Sequence, residues 1–408
     1  MIRKGRGYPC PFLLLVLRAI LIEEQARLHL RGGEDMKITD VDIFPLRLPF
    51  RMEFKIARGS VGSPGAGAPH IYVRVRADNG AVGWGEARPS HRWSYETEES
   101  VLSALRGYLA PLLIGRDPAD REGIHRAMDT DIAPGTTVGQ PIAKCALDIA
   151  LHDLLGQVCG VNVQDLFGSK AAQEIRLSWI VSDPTPEGAA RIASEAVAGG
   201  YGSLKVKIGI SPERDVETLE SVREAAPEAY IWADANQAYT PSFAQRIARA
   251  SAEIGVDVLE QPLPANDLPG LRRLVASSEV PIAVDESVWS PADLVQAIRM
   301  EALDMLVIKV SKMAGLHRAR QCIEICRAAG VGVLGSGLTE SALGFTASAQ
   351  LYAACGVQVA DLNGPGQFLA DGPANDQVRI AAGRAHLPTG PGLGLRIAEE
   401  DVRRFVKE

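Results

Sequence analysis

The chain has 408 residues, more than one hydrophobic core usually serves, so we expect at least two structural units. Its 46% hydrophobic and 23% charged residues and mean hydropathy of +0.02 are typical of a globular protein and exclude disordered and collagen-like classes. A formal net charge of -7 without long charged runs argues against a nucleic-acid partner, which requires a basic patch.

Residues 1–35 precede the first strand pattern. The basic run RKGR and the apolar stretch PFLLLVLRAILI resemble a secretion signal, but Arg18 interrupts the stretch and no small-residue cleavage site follows. The stretch is also shorter than the roughly 20 residues that cross a bilayer. We therefore expect a non-structural extension, translation starting at Met36, and no membrane partner. Six cysteines without CxxC spacing favour a reduced, cytoplasmic chain over a disulfide framework or a zinc site.

Residues 36–160 have the pattern of an α+β domain. The segments ITDVDIFPLRL and HIYVRVRADNGAVGWGEA alternate as antiparallel strands do, and Asn79-Gly80 predicts a hairpin turn. The segments ESVLSALRGYLAPLLIG and PIAKCALDIALHDLLGQVCG carry apolar residues at helical spacing.

From residue 161 to residue 365, short β-branched strands alternate with amphipathic helices. This rhythm indicates parallel βαβ units, and about eight strands in this length favour a closed (β/α) barrel over an open sheet. Residues 366–408 have no strand partner in that scheme, so we expect this C-terminal segment to return to the first domain.

Polar residues end the predicted strands in succession. In barrels of this kind the active site lies at the C-terminal ends of the strands. These positions hold Lys205 and Lys207, Asp234 and Asn236, Glu260, Asp285 and Glu286, Lys309 and Lys312, Glu340, and Asp361 and Asn363. The acids and Lys309 follow one another at intervals of about 25 residues, one strand-helix unit, so the architecture itself places these charges around a ring.

The acids Asp234, Glu260 and Asp285 end three adjacent strands. Three carboxylates in a closed pocket cannot all stay ionised unless a cation neutralises them. A set of oxygen ligands without histidine or cysteine suits Mg²⁺, with Mn²⁺ as a substitute.

Lysines flank these acids on opposite sides of the predicted barrel. Removing a proton next to a carboxylate becomes feasible when a metal stabilises the enolate. We assign Lys207 and Lys309 as acid/base residues, each neutral when it acts as base. Lys205 is the charged neighbour of Lys207 and a candidate ligand of the substrate carboxylate, because strand residues i and i+2 share a face.

The motifs KVKIG, DANQAY, LEQP, DES and IKVSKMAG resemble the enolase superfamily, specifically its muconate-lactonizing enzyme subgroup. The resemblance covers residues 36–408. It implies a (β/α)₇β barrel of the TIM type with an α+β capping domain made from the N-terminal part and the C-terminal segment. It also implies Asp234, Glu260 and Asp285 as Mg²⁺ ligands and Lys207 and Lys309 as the facing acid/base pair. None of the seven histidines ends a predicted barrel strand, which disfavours the mandelate racemase branch with its catalytic histidine.

The segments RMEFKIARGS and GEARPSHRWSYETEES resemble the cap loops of dipeptide epimerases in this subgroup. Those enzymes hold the substrate ammonium with an Asp-X-Asp pair at the eighth strand. Here Asn363 stands where the second aspartate would be, and DLNGP is also similar to the ELFGP of the cycloisomerases. Glu340 matches an acid shared across the subgroup or pairs with Lys309. Trp93 and Tyr95 either line the substrate pocket or pack the cap.

The leading hypothesis is a racemase or epimerase that takes the proton next to the carboxylate of a dipeptide or N-substituted amino acid. The resemblance leaves two alternatives, a muconate-type cycloisomerase that needs one lysine and a dehydratase of a hydroxy acid or hydroxy amino acid. The expected partners are a small-molecule carboxylate and, from the family, further copies of the chain in a homo-oligomer.

Overall fold

The computed structural model describes residues 36–135, 137–168 and 172–407. Predictions for residues 1–35 lie outside these ranges. Within them, no helix combines the length and apolar character needed to cross a membrane.

The N-terminal part contains a three-stranded antiparallel sheet in the order β1-β4-β5. Its strands, with the small β2-β3 hairpin between them, are β1 Ile38–Leu48, β2 Phe54–Ile56, β3 Gly59–Gly62, β4 Ala68–Ala77 and β5 Val82–Ala87. The predicted hairpin at Asn79-Gly80 is confirmed, because β4 and β5 pair across it and Gly80 has a φ of 82°.

Helices cover this sheet, the longest being α4. They are α1 Glu98–Ala104, the π-helical Leu105–Leu109, α2 Ala110–Leu113, α3 Arg121–Asp131 and α4 Pro141–Cys159. Helix α4 approaches β5 so closely that a Cβ on Gly85 would lie 1.8 Å from the carbonyl oxygen of Ala146. Glycine is therefore required there for the helix backbone to lie on the sheet.

The larger part is a (β/α)₇β barrel, as predicted. Its first strand is interrupted at Ser178, and the other strands follow one per helix. The strands are β6 Glu174–Leu177, β7 Trp179–Val181, β8 Ser203–Lys207, β9 Tyr230–Asp234, β10 Val258–Glu260, β11 Ile282–Val284, β12 Met305–Lys309, β13 Gly332–Ser336 and β14 Val359–Asp361. The helices are α5 Pro186–Ala198, α6 Pro212–Ala225, α7 Pro241–Ile254, α8 Leu268–Val275, α9 Pro291–Arg299, α10 Leu316–Ala329 and α11 Ala342–Ala354. The ring closes because β7 pairs with β8 while β6 pairs with β14, both in parallel.

The lower interior of the barrel is apolar. One layer there consists of Trp232, Val258, Ala283, Val307, Leu334 and Val359. Side chains alternate along a strand, so the residues two positions after this layer also point into the barrel. The upper end of the interior is therefore filled by the polar residues that follow the apolar layer.

The C-terminal segment contacts both parts of the molecule. Its elements are the π-helical Gly364–Phe368, the 3₁₀ turn Asn375–Gln377, β15 Arg379–Ala381, β16 Arg384–His386 and α12 Glu399–Arg403. A separate 3₁₀ turn, Val163–Phe167, lies before the first barrel strand. Strand β16 pairs antiparallel with β6 under the barrel. Farther on, the N–H of Arg47 in β1 donates to the carbonyl of Phe405 at 2.9 Å. The domain boundaries at residues 160 and 365 stay a prediction.

Candidate active site

Five charged side chains follow one another around the upper rim of the barrel. Strands β8 to β12 are consecutive neighbours, and their ends carry Lys207, Asp234, Glu260, Asp285 and Lys309 in that order. Lys207, Asp234 and Glu260 are direct partners in the strand register. The three acids, each 0% exposed, therefore lie between two lysines.

Lys205 lies deeper than Lys207, above the indole of Trp232. Its Nζ is 3.2 Å from Asp234, 2.9 Å from Glu260 and 3.0 Å from Asp361. Burial lowers the pKa of Lys205, but these three carboxylates outweigh burial and raise it well above its ordinary value. Lys205 is thus a fixed positive charge among acids.

Lys207 contacts Asp234 Oδ2 at 2.6 Å and Asn236 Oδ1 at 3.2 Å. Asn236 in turn donates to Glu286 Oε1 at 3.2 Å. Burial and the carboxylates of Asp285 and Asp234 raise the pKa of Glu286 to about 7. The predicted residues Asn236 and Glu286 therefore connect the strand ends of β9 and β11 in one polar network.

On the opposite side, Lys309 and Lys312 both pair with Asp285. Lys312 Nζ lies 2.8 Å from Asp285 Oδ1, and Lys309 forms a short ion pair with Oδ2. Burial lowers the pKa of Lys309, but the carboxylate of Asp285 raises it above the ordinary value.

The remaining predicted residues follow β13 and β14. Glu340 accepts a hydrogen bond from the N–H of Leu338 in its own loop, and burial raises its pKa to about 7. Glu340 is therefore bonded within its own loop and not to Lys309, which pairs with Asp285 instead. Asp361 and Asn363 are each 4% exposed and line the cavity above the ring.

This cavity lies between the barrel rim and the cap loops. Its walls are Phe54, Ile56, Val61, Ser90, Trp93, Ile180, Lys205, Lys207, Gly337, Leu338, Thr339, Asp361 and Asn363. Trp93 is one of these wall residues, and its ring lies 4.3 Å from Lys309 Nζ. Tyr95 is 52% exposed and packs at 5.1 Å against Trp289.

The three acids fit a divalent cation by their chemistry. Burial and the neighbouring carboxylate of Asp234 raise the pKa of Glu260 well above its ordinary value, which means that the lysines do not fully compensate this cluster. As the side chains stand, no group of three His, Cys, Asp or Glu in the described ranges is arranged to hold a metal, and a lysine ammonium group contacts each of the three acids.

Three residues that support the site were missed from the sequence. Gln261 accepts hydrogen bonds from the N–H groups of Asp285 and Ser287, at 2.9 and 3.2 Å, and has a φ of 36°. Glu86 and Asp148 reach from the cap to the first turns of α11 and α10. Gln261 could have been found from the sequence, because it directly follows Glu260 at the end of a barrel strand. The two cap acids could not, because their partners at Ser341 and Leu316 lie far away in the chain.

Two family models match the chain. Residues 38–168 match the mandelate racemase / muconate lactonizing enzyme N-terminal domain, and residues 188–402 match the enolase C-terminal domain-like model.

Curated relatives cover nearly the whole chain. An N-succinyl-L-Arg/Lys racemase of Bacillus cereus is 31% identical over 91% of this chain and 98% of its own length. An L-Ala-D/L-Glu epimerase of Clostridium acetobutylicum is 32% identical over 88% and 99%. A chloromuconate cycloisomerase of Pseudomonas putida is 29% identical over 92% and 99%. All three are isomerases by name.

Solved structures agree with these matches. The crystal structure of a dipeptide epimerase from Enterococcus faecalis, complexed with Mg and L-Leu-L-Tyr, superposes with a TM-score of 0.81 at 29% identity, covering 88% of this chain and 99% of that one. A muconate lactonizing enzyme from Pseudomonas fluorescens gives a TM-score of 0.84 at 25% identity, covering 92% and 100%. The chain is therefore an isomerase that belongs to the mandelate racemase / muconate lactonizing enzyme family of the enolase superfamily, in the muconate-lactonizing enzyme subgroup.

Proposed function

We propose that this isomerase is a Mg²⁺-dependent racemase or epimerase acting on a dipeptide or N-substituted amino acid. The observation that carries the proposal is the order Lys207, Asp234, Glu260, Asp285, Lys309 on five neighbouring strands. Inverting the configuration at a carbon requires removing a proton from one face and returning a proton to the other. The reaction therefore needs two acid/base groups, and two lysines on either side of a carboxylate-binding centre provide them.

The metal would be held by Asp234, Glu260 and Asp285. When bound, Mg²⁺ would stabilise the negative charge that builds on the substrate carboxylate as the neighbouring C–H bond breaks. Lys205 would add a fixed positive charge at the same end of the substrate, since three acids keep it protonated.

The lysines perform the proton transfers. One of Lys207 and Lys309, neutral at that moment, takes the proton from the α-carbon. The other, as an ammonium group, donates a proton to the opposite face, and the configuration inverts. In the reverse direction their roles exchange.

Trp93 supports this scheme. Its indole lies over Lys309 Nζ and forms part of the cavity wall, where it would limit access of water to the lysine. We also infer a cytoplasmic location, which the free cysteines Cys145, Cys159, Cys322, Cys326 and Cys355 support.

The test is α-proton exchange. Protein loaded with Mg²⁺ is incubated in D₂O with dipeptides and N-acyl amino acids, and deuterium at the α-carbon is read by mass spectrometry. We expect exchange with at least one class of substrate. Turnover of muconate, or loss of water from a hydroxy acid, without exchange in the panel would overturn the proposal in favour of a cycloisomerase or a dehydratase.

A further inference from the structure

The charges that line the cavity are already paired. Among the described residues of its wall, the cationic side chains are Lys205 and Lys207, and no arginine or histidine joins them. Lys205 pairs with three acids and Lys207 with Asp234. The cavity therefore offers a substrate no additional cation beyond those next to the proposed metal ligands.

This limits the substrate to one carboxylate. A buried carboxylate needs a cation or a metal beside it, because removing the charge from water is otherwise strongly unfavourable. The carboxylate next to the reacting carbon has the proposed metal centre. A second one, as in a dicarboxylate or an N-succinyl group, would meet no further cation among the described residues of the cavity wall.

Two polar atoms in the cavity wall lack partners. Asp361 Oδ1 and Asn363 Nδ2 are buried and make no hydrogen bond. The first can only accept a hydrogen bond when the carboxylate is ionised, and the second can only donate. A substrate that satisfies both presents one N–H or O–H donor and one oxygen acceptor, and an amide group presents both.

The charge state of this pair favours a neutral amide over an ammonium group. Asp361 Oδ2 lies 3.0 Å from Lys205 Nζ, so Asp361 already pairs with a cation, which it shares with Asp234 and Glu260. Asn363 adds no negative charge. A substrate ammonium group would have to share Asp361 with the ammonium group of Lys205, 3.0 Å away, whereas an amide N–H needs only the acceptor oxygen.

Apart from Ser90, Thr339 and Gly337, the rest of the wall is apolar. Its members come from the cap hairpin, the cap loop and the barrel rim, and are Phe54, Ile56, Val61, Trp93, Ile180 and Leu338. Burying the side chain and acyl group of the substrate against these residues removes apolar surface from water, which favours binding. An apolar substrate is thus favoured over a charged one.

We propose that the substrate is an N-acyl amino acid with an uncharged acyl group and an apolar side chain, its amide held by Asp361 and Asn363. This rests on the proposed racemase or epimerase function and narrows it. The substrate class excludes dicarboxylates, N-succinyl derivatives and dipeptides with a free ammonium group.

The test compares substrates that share one amino acid. N-acetyl-L-leucine, N-succinyl-L-leucine and L-alanyl-L-leucine are incubated with the Mg²⁺-loaded protein in D₂O, and kcat/KM for α-deuterium incorporation is measured. We expect the N-acetyl compound to exceed both others by at least about tenfold. Equal or faster exchange of either other compound overturns this inference but leaves the proposed function standing. Absence of exchange in all three overturns this inference, and if muconate is turned over as well it overturns the proposed function itself.

A variant tests the role of Asn363. Asn363→Asp replaces the unpaired donor by an acceptor of the same shape, so the ratio of exchange for L-alanyl-L-leucine to that for N-acetyl-L-leucine should rise at least about tenfold. Asn79→Asp, in an exposed turn, is the matched control and should leave this ratio unchanged. An unchanged ratio in a folded Asn363→Asp protein overturns the assignment of Asn363. If that variant does not fold, the substrate comparison in the wild type still decides.

Discussion

Lys205 pairs with three buried carboxylates, more than any other lysine described in the site. Its ammonium group is enclosed by Asp234, Glu260 and Asp361, and the residue is 1% exposed. Lys205→Met keeps the length of the side chain but leaves buried carboxylates without their counter-ion. We expect the free energy of unfolding to fall by about 3–5 kcal/mol, measured by chemical denaturation in the absence of added metal. The exposed Lys37→Met is the control, and equal stability of the two variants would contradict this description of Lys205.

Among individual residues, the charged side chains of the site were predictable from the sequence, whereas the cavity that they line was not. Lys207, Asp234 and Glu260 each end an apolar strand, so the local pattern and the architecture together place them side by side. The contact of Lys205 with Asp361 requires the barrel to close, which no local pattern encodes. The place of Phe54 in the cavity wall depends on how the cap hairpin folds over the rim.

At the scale of elements, the cap holds the first turn of α11 through Glu86. Its Oε1 accepts from the N–H of Ser341 at 2.9 Å, and its Oε2 accepts from the N–H of Gly344 at 2.8 Å. His70 Nδ1 lies 2.6 Å from Oε1. A buried acid thus satisfies N–H groups that the helix itself leaves unpaired.

Glu86→Gln should weaken this connection. The amide nitrogen that replaces one carboxylate oxygen cannot accept, so a buried N–H is left without a partner, at a cost of about 1–3 kcal/mol in the free energy of unfolding. Hydrogen exchange of the first turn of α11 should become faster than in the wild type. Glu220→Gln, at an exposed position of α6, serves as the control, and unchanged exchange in Glu86→Gln would show that this cap contact is not needed.

Strands and helices differ in how far the sequence predicts them. The barrel strands and α4 are strongly apolar segments of the lengths expected for strands and for a helix, and these predictions are confirmed. The break of the first strand at Ser178 was not predicted, because it reflects a change of partner from β14 to β8 around the closing seam. Nor could local patterns show that Asp148 caps α10, since Leu316 lies far along the chain.

At the scale of the whole molecule, a ligand that binds only the folded state raises the free energy of unfolding of the entire protein. At 100 times its dissociation constant, Mg²⁺ should add about 2.7 kcal/mol to the free energy of unfolding and raise the Tm. In Glu260→Gln this response should be lost. The substitution itself should cost the fold little, because burial and Asp234 already raise the pKa of Glu260 well above its ordinary value.

The exposed Asp78→Asn is the control for this titration. A Tm shift with Mg²⁺ in Glu260→Gln as large as in the wild type would exclude Glu260 as a ligand. The homo-oligomer expected from the family stays a prediction at this scale.

The division of labour between Lys207 and Lys309 is the central claim, and separate exchange of each enantiomer in D₂O tests it most directly. With an exchanging N-acyl amino acid, Lys207→Ala and Lys309→Ala should each lose inversion by about 10²- to 10⁴-fold. Each variant should keep α-proton exchange for one enantiomer only, and the two variants for opposite enantiomers, while Lys37→Ala behaves as the wild type. Inversion retained in either variant, or exchange of the same enantiomer by both, would contradict the two-lysine account.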